Sequence, residues 1–278
     1  MKKHFYFLIL IFSYTNFVFS QRQLIWSDTV NSIGNHSEYY GAYDGNMIKL
    51  DGDKNIYTAI LSDSSNLKRI LISKHDSLGN NIWSTEFQTS PTESDWLSAL
   101  AIDDSNNVFI GGSAGIASGQ SKMMILKFNG INGQLKWVYY SPLIQNDYTA
   151  NEIKFDAFGN IYACGKYYSN STATYYYNVT KLDVSGNFLA YFNHSANTAN
   201  YGYPNHMVLD SVGNIYITAQ NKNLTTNSDD GALIKLDQNL SQIWIQTYDG
   251  PQGGNDYFYD PTGWIYRTLS MISRQLEY

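Results

Sequence analysis

The residues best spaced for chemistry are Asp51, Asp53 and Asn55 in the string DGDKN, an i, i+2, i+4 arrangement like that of oxygen ligands in a calcium loop. Calcium takes about six to eight oxygens, and a hand-type loop continues with a glycine and a distant glutamate. Ile56 stands in the glycine position and the glutamate is missing, so the string reads as a hairpin turn and no metal ligands are assigned. A second set is the polar residue five positions before Asp51 and before its counterparts Asp103, Asp156 and Asp210: Asn46, Ser98, Asn151 and Asn205. Such a set either rings a binding site for water, an ion or a sugar hydroxyl, or only satisfies strand ends. Tyr167, Tyr168, Tyr175, Tyr176 and Tyr177 form the densest aromatic cluster, beside a loop rich in Ser, Asn and Thr. These rings stack on sugars if exposed and fill a core if alternate ones point inward.

Nothing else carries a recognisable reaction. The histidines fall at unrelated positions with no HxH or HExxH pair, and no GxSxG, GxxxxGK or GxGxxG string leads from a strand into a helix. Cys164 aligns with Ala59, Gly111 and Thr218, a small-residue position suited to packing. No catalytic residue and no cofactor is assigned, and a binding protein is favoured over an enzyme. One string, GINGQLKW at 130–137, is like the Gly-x-x-x-Trp turn of quinone-dependent propeller dehydrogenases and keeps an enzymatic alternative open.

The elements that hold these residues repeat. Asp51, Asp103, Asp156, Asp210 and Asp260 are separated by 52, 53, 54 and 50 residues, each opening a variant of the string DAFGNIYACG. A period near 50 marks a propeller or array. Apolar residues stand one and three positions before the Asp, as in Ile48 and Leu50 or Ile153 and Phe155, which is strand alternation. Asp, Gly and Asn then make a tight turn into an Ile-Tyr strand. A third strand ends in Lys74, Lys127, Lys181 or Lys235, each two residues before an Asp or Asn, which suits an ion pair or a solvated edge. The fourth strand carries Trp83, Trp137, Tyr191 or Trp244, a large aromatic expected between neighbouring sheets.

Four strands per period predict an all-β fold, a β-propeller of about five four-stranded blades, with a solenoid as the runner-up. The repeats run near 39–91, 92–144, 145–198 and 199–252, with a partial copy at 253–278, all within one domain over 21–278. Polar loops between the second and third strands (62–66, 113–121, 168–174, 221–230) place variable residues on one side of the disc. The fifth copy lacks most of its first strand and stops before its Trp strand, while QLIWSDTV from Gln23 is a Trp strand without a preceding copy. The two halves either close a five-bladed ring or mark a piece of a larger propeller.

Residues 1–20 have Lys2 and Lys3, an apolar run from Phe5 to Ile11 and small residues before a cleavage point after Ser20, the pattern of a signal peptide. Export to the medium or cell surface follows, with no membrane span in the mature chain. Cleavage leaves 16 basic against 24 acidic residues, a net charge of minus 8, which disfavours nucleic acid as a partner.

The repeated units and their lead-ins, SDW from Ser94, NDY from Asn146 and GNDY from Gly254, resemble those of the bacterial β-propeller repeat family often called SBBP. The likeness covers residues 39 to 278, and FSQ at 19–21 is similar to Bacteroidetes-type secreted proteins. Lys54 and Asn106 replace the turn Gly in copies one and two, and Trp264 replaces Asn in copy five. The resemblance implies a secreted or surface propeller without an assigned reaction. The expected function is non-catalytic binding of protein or polysaccharide through the loops. The alternatives are a carbohydrate-active or quinone-type propeller enzyme and a fragment of a larger adhesin.

Overall fold

A computed structural model describes residues 37–39, 47–64, 67–116, 119–196, 204–222 and 229–248. Every regular element of the main sheets is a strand, as the content of β-branched and aromatic residues dictates. Blade one contains β1 (Ser37–Tyr39), β2 (Ile48–Leu50), β3 (Ile56–Ser64), β4 (Leu67–His75) and β5 (Asn81–Phe87). Blade two is β6 (Asp95–Ile102), β7 (Val108–Ile116), β8 (Gln120–Phe128) and β9 (Leu135–Tyr140). Blade three is β10 (Asn146–Phe155), β11 (Ile161–Ser169), β12 (Thr174–Leu182) and β13 (Phe188–Ser195). Blade four is β14 (Pro204–Leu209), β15 (Ile215–Lys222), β16 (Asp229–Leu236) and β17 (Gln242–Tyr248). Each sheet pairs its strands in chain order and antiparallel, with β1 and β2 sharing the edge of β3.

The blades stack face to face, and the first strands β2, β6, β10 and β14 touch in succession, which makes the fold a β-propeller. Among the described residues, three apolar cores lie between successive blades. One joins Tyr57, Ile70 and Ile72 to Leu97, Leu100 and Met124; the next joins Ala99, Phe109 and Ile125 to Ile153 and Ala163; the third joins Tyr162 and Val179 to Met207, Ile217 and Ile234. The repeated apolar positions Leu100, Ile153 and Met207 are at most 5% exposed, whereas Ile48 in blade one is 54% exposed and Leu50 62%. The fifth copy and the strand from Gln23, on which the ring-closure expectation rests, lie outside the described residues.

The repeated Asp is a turn builder. In blade three the Asp156 Oδ1 accepts the amides of Phe158 and Asn160 at 2.9 Å each, and its Oδ2 accepts Asn160 Nδ2 at 2.8 Å and the Tyr162 hydroxyl at 3.2 Å. The two amides and the Asn side chain likewise surround Asp51, Asp103 and Asp210, and in the turns between third and fourth strands Asp76 and Asp183, with a Tyr hydroxyl added at Asp51 and Asp210. Asp53 and Asn55 therefore hold a turn around Asp51, which explains the calcium-like spacing without calcium. The residue before the Asn takes a positive φ: 79° at Gly159, but 65° at Lys54 and 60° at Asn106.

The repeated Lys is buried in blades one and two and half-buried in blades three and four, and in the first two its acid partner differs from the one its sequence spacing suggests. Lys74 Nζ lies 3.7 Å from Asp51 and Lys127 Nζ 3.5 Å from Asp103, acids on the neighbouring hairpin. The register explains this: Lys74 pairs with Tyr57 across the ladder, its ammonium sits 4.8 Å over the Tyr57 ring, and the Tyr57 hydroxyl donates to Asp51. Blades two, three and four repeat the stack as Lys127 on Phe109, Lys181 on Tyr162 and Lys235 on Tyr216.

The repeated Trp docks one blade onto the next. Trp83 Nε1 and Lys74 Nζ both donate to the Gly130 carbonyl, at 3.2 and 3.0 Å, and Thr85 Oγ1 donates to Gly133 O at 2.9 Å. Gly133, at φ 72°, lies flat under the Trp83 ring, where an added Cβ would come within 2.6 Å of Cε3. Gly186 sits in the same way under Trp137. The string at 130–137 is thus occupied with blade docking.

Candidate functional site

The described Asp turns lie at one end of the blades, and the far ends of the second and third strands lie at the other. The strands run further than the polar composition suggests, to Ser64, Ile116 and Ser169. On this second face, between blades two and three, a cleft of about 680 Å³ opens.

A β-bulge shapes its floor. The ladders skip between Leu97 and Ala99, between Ala150 and Glu152 and between Pro204 and His206, so Ser98, Asn151 and Asn205 are the extra residues of three equivalent bulges. The polar residue five positions before each Asp is therefore one that the ladder leaves unpaired and re-aims. Ser98 and Asn151 line the cleft. Opposite the bulges the backbone approaches too closely for a side chain: an added Cβ on Gly165 would stand 1.8 Å from the Thr149 carbonyl oxygen. Asn46 and the Asn205 side chain lie outside the described residues.

The walls come from the blade lead-ins. Trp96, 44% exposed, stands on one side with the Lys68 ammonium 3.5 Å over its ring. On the other side Asp147, at φ 54°, binds Lys166 Nζ at 2.7 Å and accepts the Tyr175 hydroxyl at 3.4 Å. Burial lowers the Lys166 ammonium pKa, and the Asp147 carboxylate opposes that shift. Ser98 and Thr149 share a hydrogen bond of 2.9 Å between the two blades. Glu93, Ser94, Gln120 and Ser121 complete the polar lining. The Asn151 Oδ1 is shielded from solvent and has no hydrogen-bond partner among the described residues.

The tyrosine cluster divides. Tyr175 lines the cleft, and Tyr168 packs edge-on against it at 5.0 Å without lining the cleft itself. Tyr167, grouped with them in the sequence reading as a ligand-binding residue, is a core residue at 6% exposure. It stacks on Tyr176 at 5.1 Å and its hydroxyl accepts Asn193 Nδ2 at 2.6 Å, because alternate residues of β11 face the neighbouring blade. Sequence reasoning did not nominate Trp96, Asp147 or Lys166 for the site. The first two sit in the lead-ins SDW and NDY, which carried a family resemblance but no chemical reading.

Burial pushes the Cys164 thiol well above its ordinary pKa, so it stays protonated and apolar in character. Among the described residues no group of three or more His, Cys, Asp or Glu is placed to hold a metal ion. No described helix is long and apolar enough to cross a membrane.

The sequence matches no protein-family model and no curated protein. Among solved structures it is similar to the quinohemoprotein alcohol dehydrogenase ADHIIG of Pseudomonas putida HK5, at 12% identity over 78% of this chain and 44% of that one, TM-score 0.48. It is similar to the quinohemoprotein alcohol dehydrogenase of Comamonas testosteroni at 13% identity, over 81% and 38% of the two chains, TM-score 0.48. A protein of unknown function from Dyadobacter fermentans DSM 18053 aligns at 8% identity over 75% and 65%, TM-score 0.44. The chain spans less than half the length of either dehydrogenase.

Proposed function

We propose that the protein is an exported, non-catalytic propeller of the SBBP repeat type that binds polysaccharide in the cleft between blades two and three. The observation that carries this reading is the pairing of an exposed indole, Trp96, with an unpartnered acceptor, Asn151 Oδ1, across a cleft lined by amides, hydroxyls and carboxylates. A sugar ring offers both complements: an apolar C–H face for the indole, and hydroxyls that donate to Asn151 and Asp147. Its hydroxyls also accept from Gln120.

The test is affinity electrophoresis of the mature chain through gels containing single polysaccharides. At least one polysaccharide should retard it, and Trp96→Ala and Asn151→Ala should each weaken retention about tenfold, roughly 1.4 kcal/mol. Equal retention of both variants would place binding elsewhere. Release of reducing ends or unsaturated products from the polysaccharide would establish the enzymatic alternative instead. Export is checked separately by N-terminal sequencing of the secreted chain, which should begin at Gln21.

A further inference from the structure

The junction between blades three and four departs from the two before it. Trp83 and Trp137 each lie on a glycine in the outer turn of the next blade, Gly133 or Gly186. The equivalent residue of blade four is Leu240, whose amide donates to Asp237 O as that of Gly186 does to Asp183 O, both at 3.0 Å, at a φ of 66°. An added Cβ at Gly133 would meet the indole, so the side chain of Leu240 excludes a ring from this seat. Where Gly130 O accepts the indole N–H of Trp83, Gln238 O accepts the Tyr162 hydroxyl at 3.3 Å, with Lys181 Nζ at 2.8 Å. Tyr191, which holds the place of Trp83 and Trp137 in its repeat, is accordingly 59% exposed against 8% for Trp83.

Tyr191 is one of a group. The Phe188 ring lies 6.3 Å from it, and both Phe188 and Leu189 are exposed. In the adjoining turns Val184 is exposed, and Phe158, at 85%, is the most exposed large apolar side chain among the described residues. The two turns touch, since an added Cβ on Gly159 would lie 3.8 Å from Val184 Cγ2. Five large apolar side chains of one blade thus face solvent together, whereas single scattered ones are the rule.

They flank an open sheet edge. β13 ends its sheet and has no partner on its outer side among the described residues. It carries no Asp, Glu, Lys, Arg or Pro, the residues that blunt such edges, and burial lowers the His194 pKa, which keeps the ring neutral. The outer strand β5 carries Glu86 and β9 carries Lys136. β17 is uncharged as well, but its exposed large apolar side chains are only Ile243 and Tyr248. Unpaired amides and carbonyls along an edge are completed by another strand. An acidic chain repels its own copy least where the contact is uncharged, and an antiparallel edge meets its copy with the same residues on both sides of a twofold axis.

We propose that two copies of the chain associate through blade three, β13 pairing antiparallel with β13 of the second copy to join the two sheets into one. Phe188, Leu189 and Tyr191 pack across the axis, and Phe158 and Val184 extend the contact at the turns. The inference is independent of polysaccharide binding in the cleft.

Sedimentation velocity of the full mature chain over a range of concentrations should show monomer and dimer in equilibrium. Tyr191→Lys and Leu189→Lys set like charges across the axis and should each raise the dissociation constant about tenfold or more, while Ile243→Lys on β17 leaves it unchanged. Tyr191→Thr, an uncharged change to another strand former, should weaken the dimer in the same direction and covers the case in which lysine is not tolerated by the fold. In hydrogen exchange, the β13 amides that point away from β12 should slow as concentration rises. A monomer at every concentration, an open-ended series of larger species, or a dimer that both Tyr191 variants leave intact would overturn the pairing.

Discussion

At Lys54 a side chain occupies a conformation that suits glycine. Its φ of 65° places the Cβ close to the following carbonyl oxygen, a cost of about 1–2 kcal/mol that Gly159 and Gly213 avoid at φ 79° and 88° in equivalent turns. The Lys54 side chain is exposed and makes no hydrogen bond or ion pair among the described residues. Lys54→Gly is therefore expected to stabilise the fold by about 1 kcal/mol, part of the relief being offset by the freer unfolded chain. Urea unfolding measures it, and an unchanged midpoint would show that the turn tolerates lysine without strain. Asp156→Ala should act in the opposite sense, removing four acceptor contacts from one turn and costing about 2–3 kcal/mol. Both the turn and its glycine preference were legible in the sequence, because Asp, Asn and Gly each have a local backbone reason to stand there. The partner of Lys74 was not, since it depends on which residue of the next hairpin lies opposite.

Between blades the decisive element is the turn that receives the neighbour's tryptophan. Gly133→Ala would add a methyl group 2.6 Å from the Trp83 ring at a φ of 72°, whereas Gly159→Ala, at φ 79°, meets nothing closer than 3.8 Å. Both substitutions carry the backbone cost, and only the first overpacks the docked ring. Gly133→Ala should thus be the more destabilising by about 1–3 kcal/mol in parallel denaturant titrations. Equal losses would mean that the ring moves aside and contributes little to docking. The sequence revealed a large aromatic once per period and its place between sheets, but its seat is a backbone carbonyl and a glycine 47 and 50 residues further on. The bulges at Ser98 and Asn151 were legible only as a polar residue at constant spacing. Their extra residue breaks the period of two that makes a strand readable.

Over the whole molecule, the Asp turns set the response to acid. Burial alone would raise the Asp51 and Asp210 carboxyl pKa values, but hydrogen bonds from Asn55 and Asn214 and from the turn amides outweigh it and leave both depressed. At Asp76 and Asp183 the side chains of Asn80 and Asn187, with the turn amides, depress the carboxyls directly. A depressed folded-state pKa stabilises the fold above the unfolded value, about 3.9, and that stability is lost as pH falls below it through the folded value. Melting temperature should therefore be level near neutrality and fall steeply below about pH 4. Asp95, buried beneath the cleft wall with its carboxyl pKa raised by desolvation, works against this trend but is a single group. A melting curve still level at pH 3 would show that the turns persist when protonated. The propeller architecture itself could be read from the spacing of Asp51, Asp103, Asp156 and Asp210. The cleft could not, because Trp96, Asn151 and Tyr175 come from three strands of two blades.

Blades one and two each carry an indole, Trp83 or Trp137, whose glycine seat, Gly133 or Gly186, lies on the following blade. Blade two carries both parts, Gly133 and Trp137, so duplicating its unit of about 52 residues adds one plug and one socket together. Blade number can then grow by copies of that unit with each new junction matched, leaving the face that bears the cleft free to diverge.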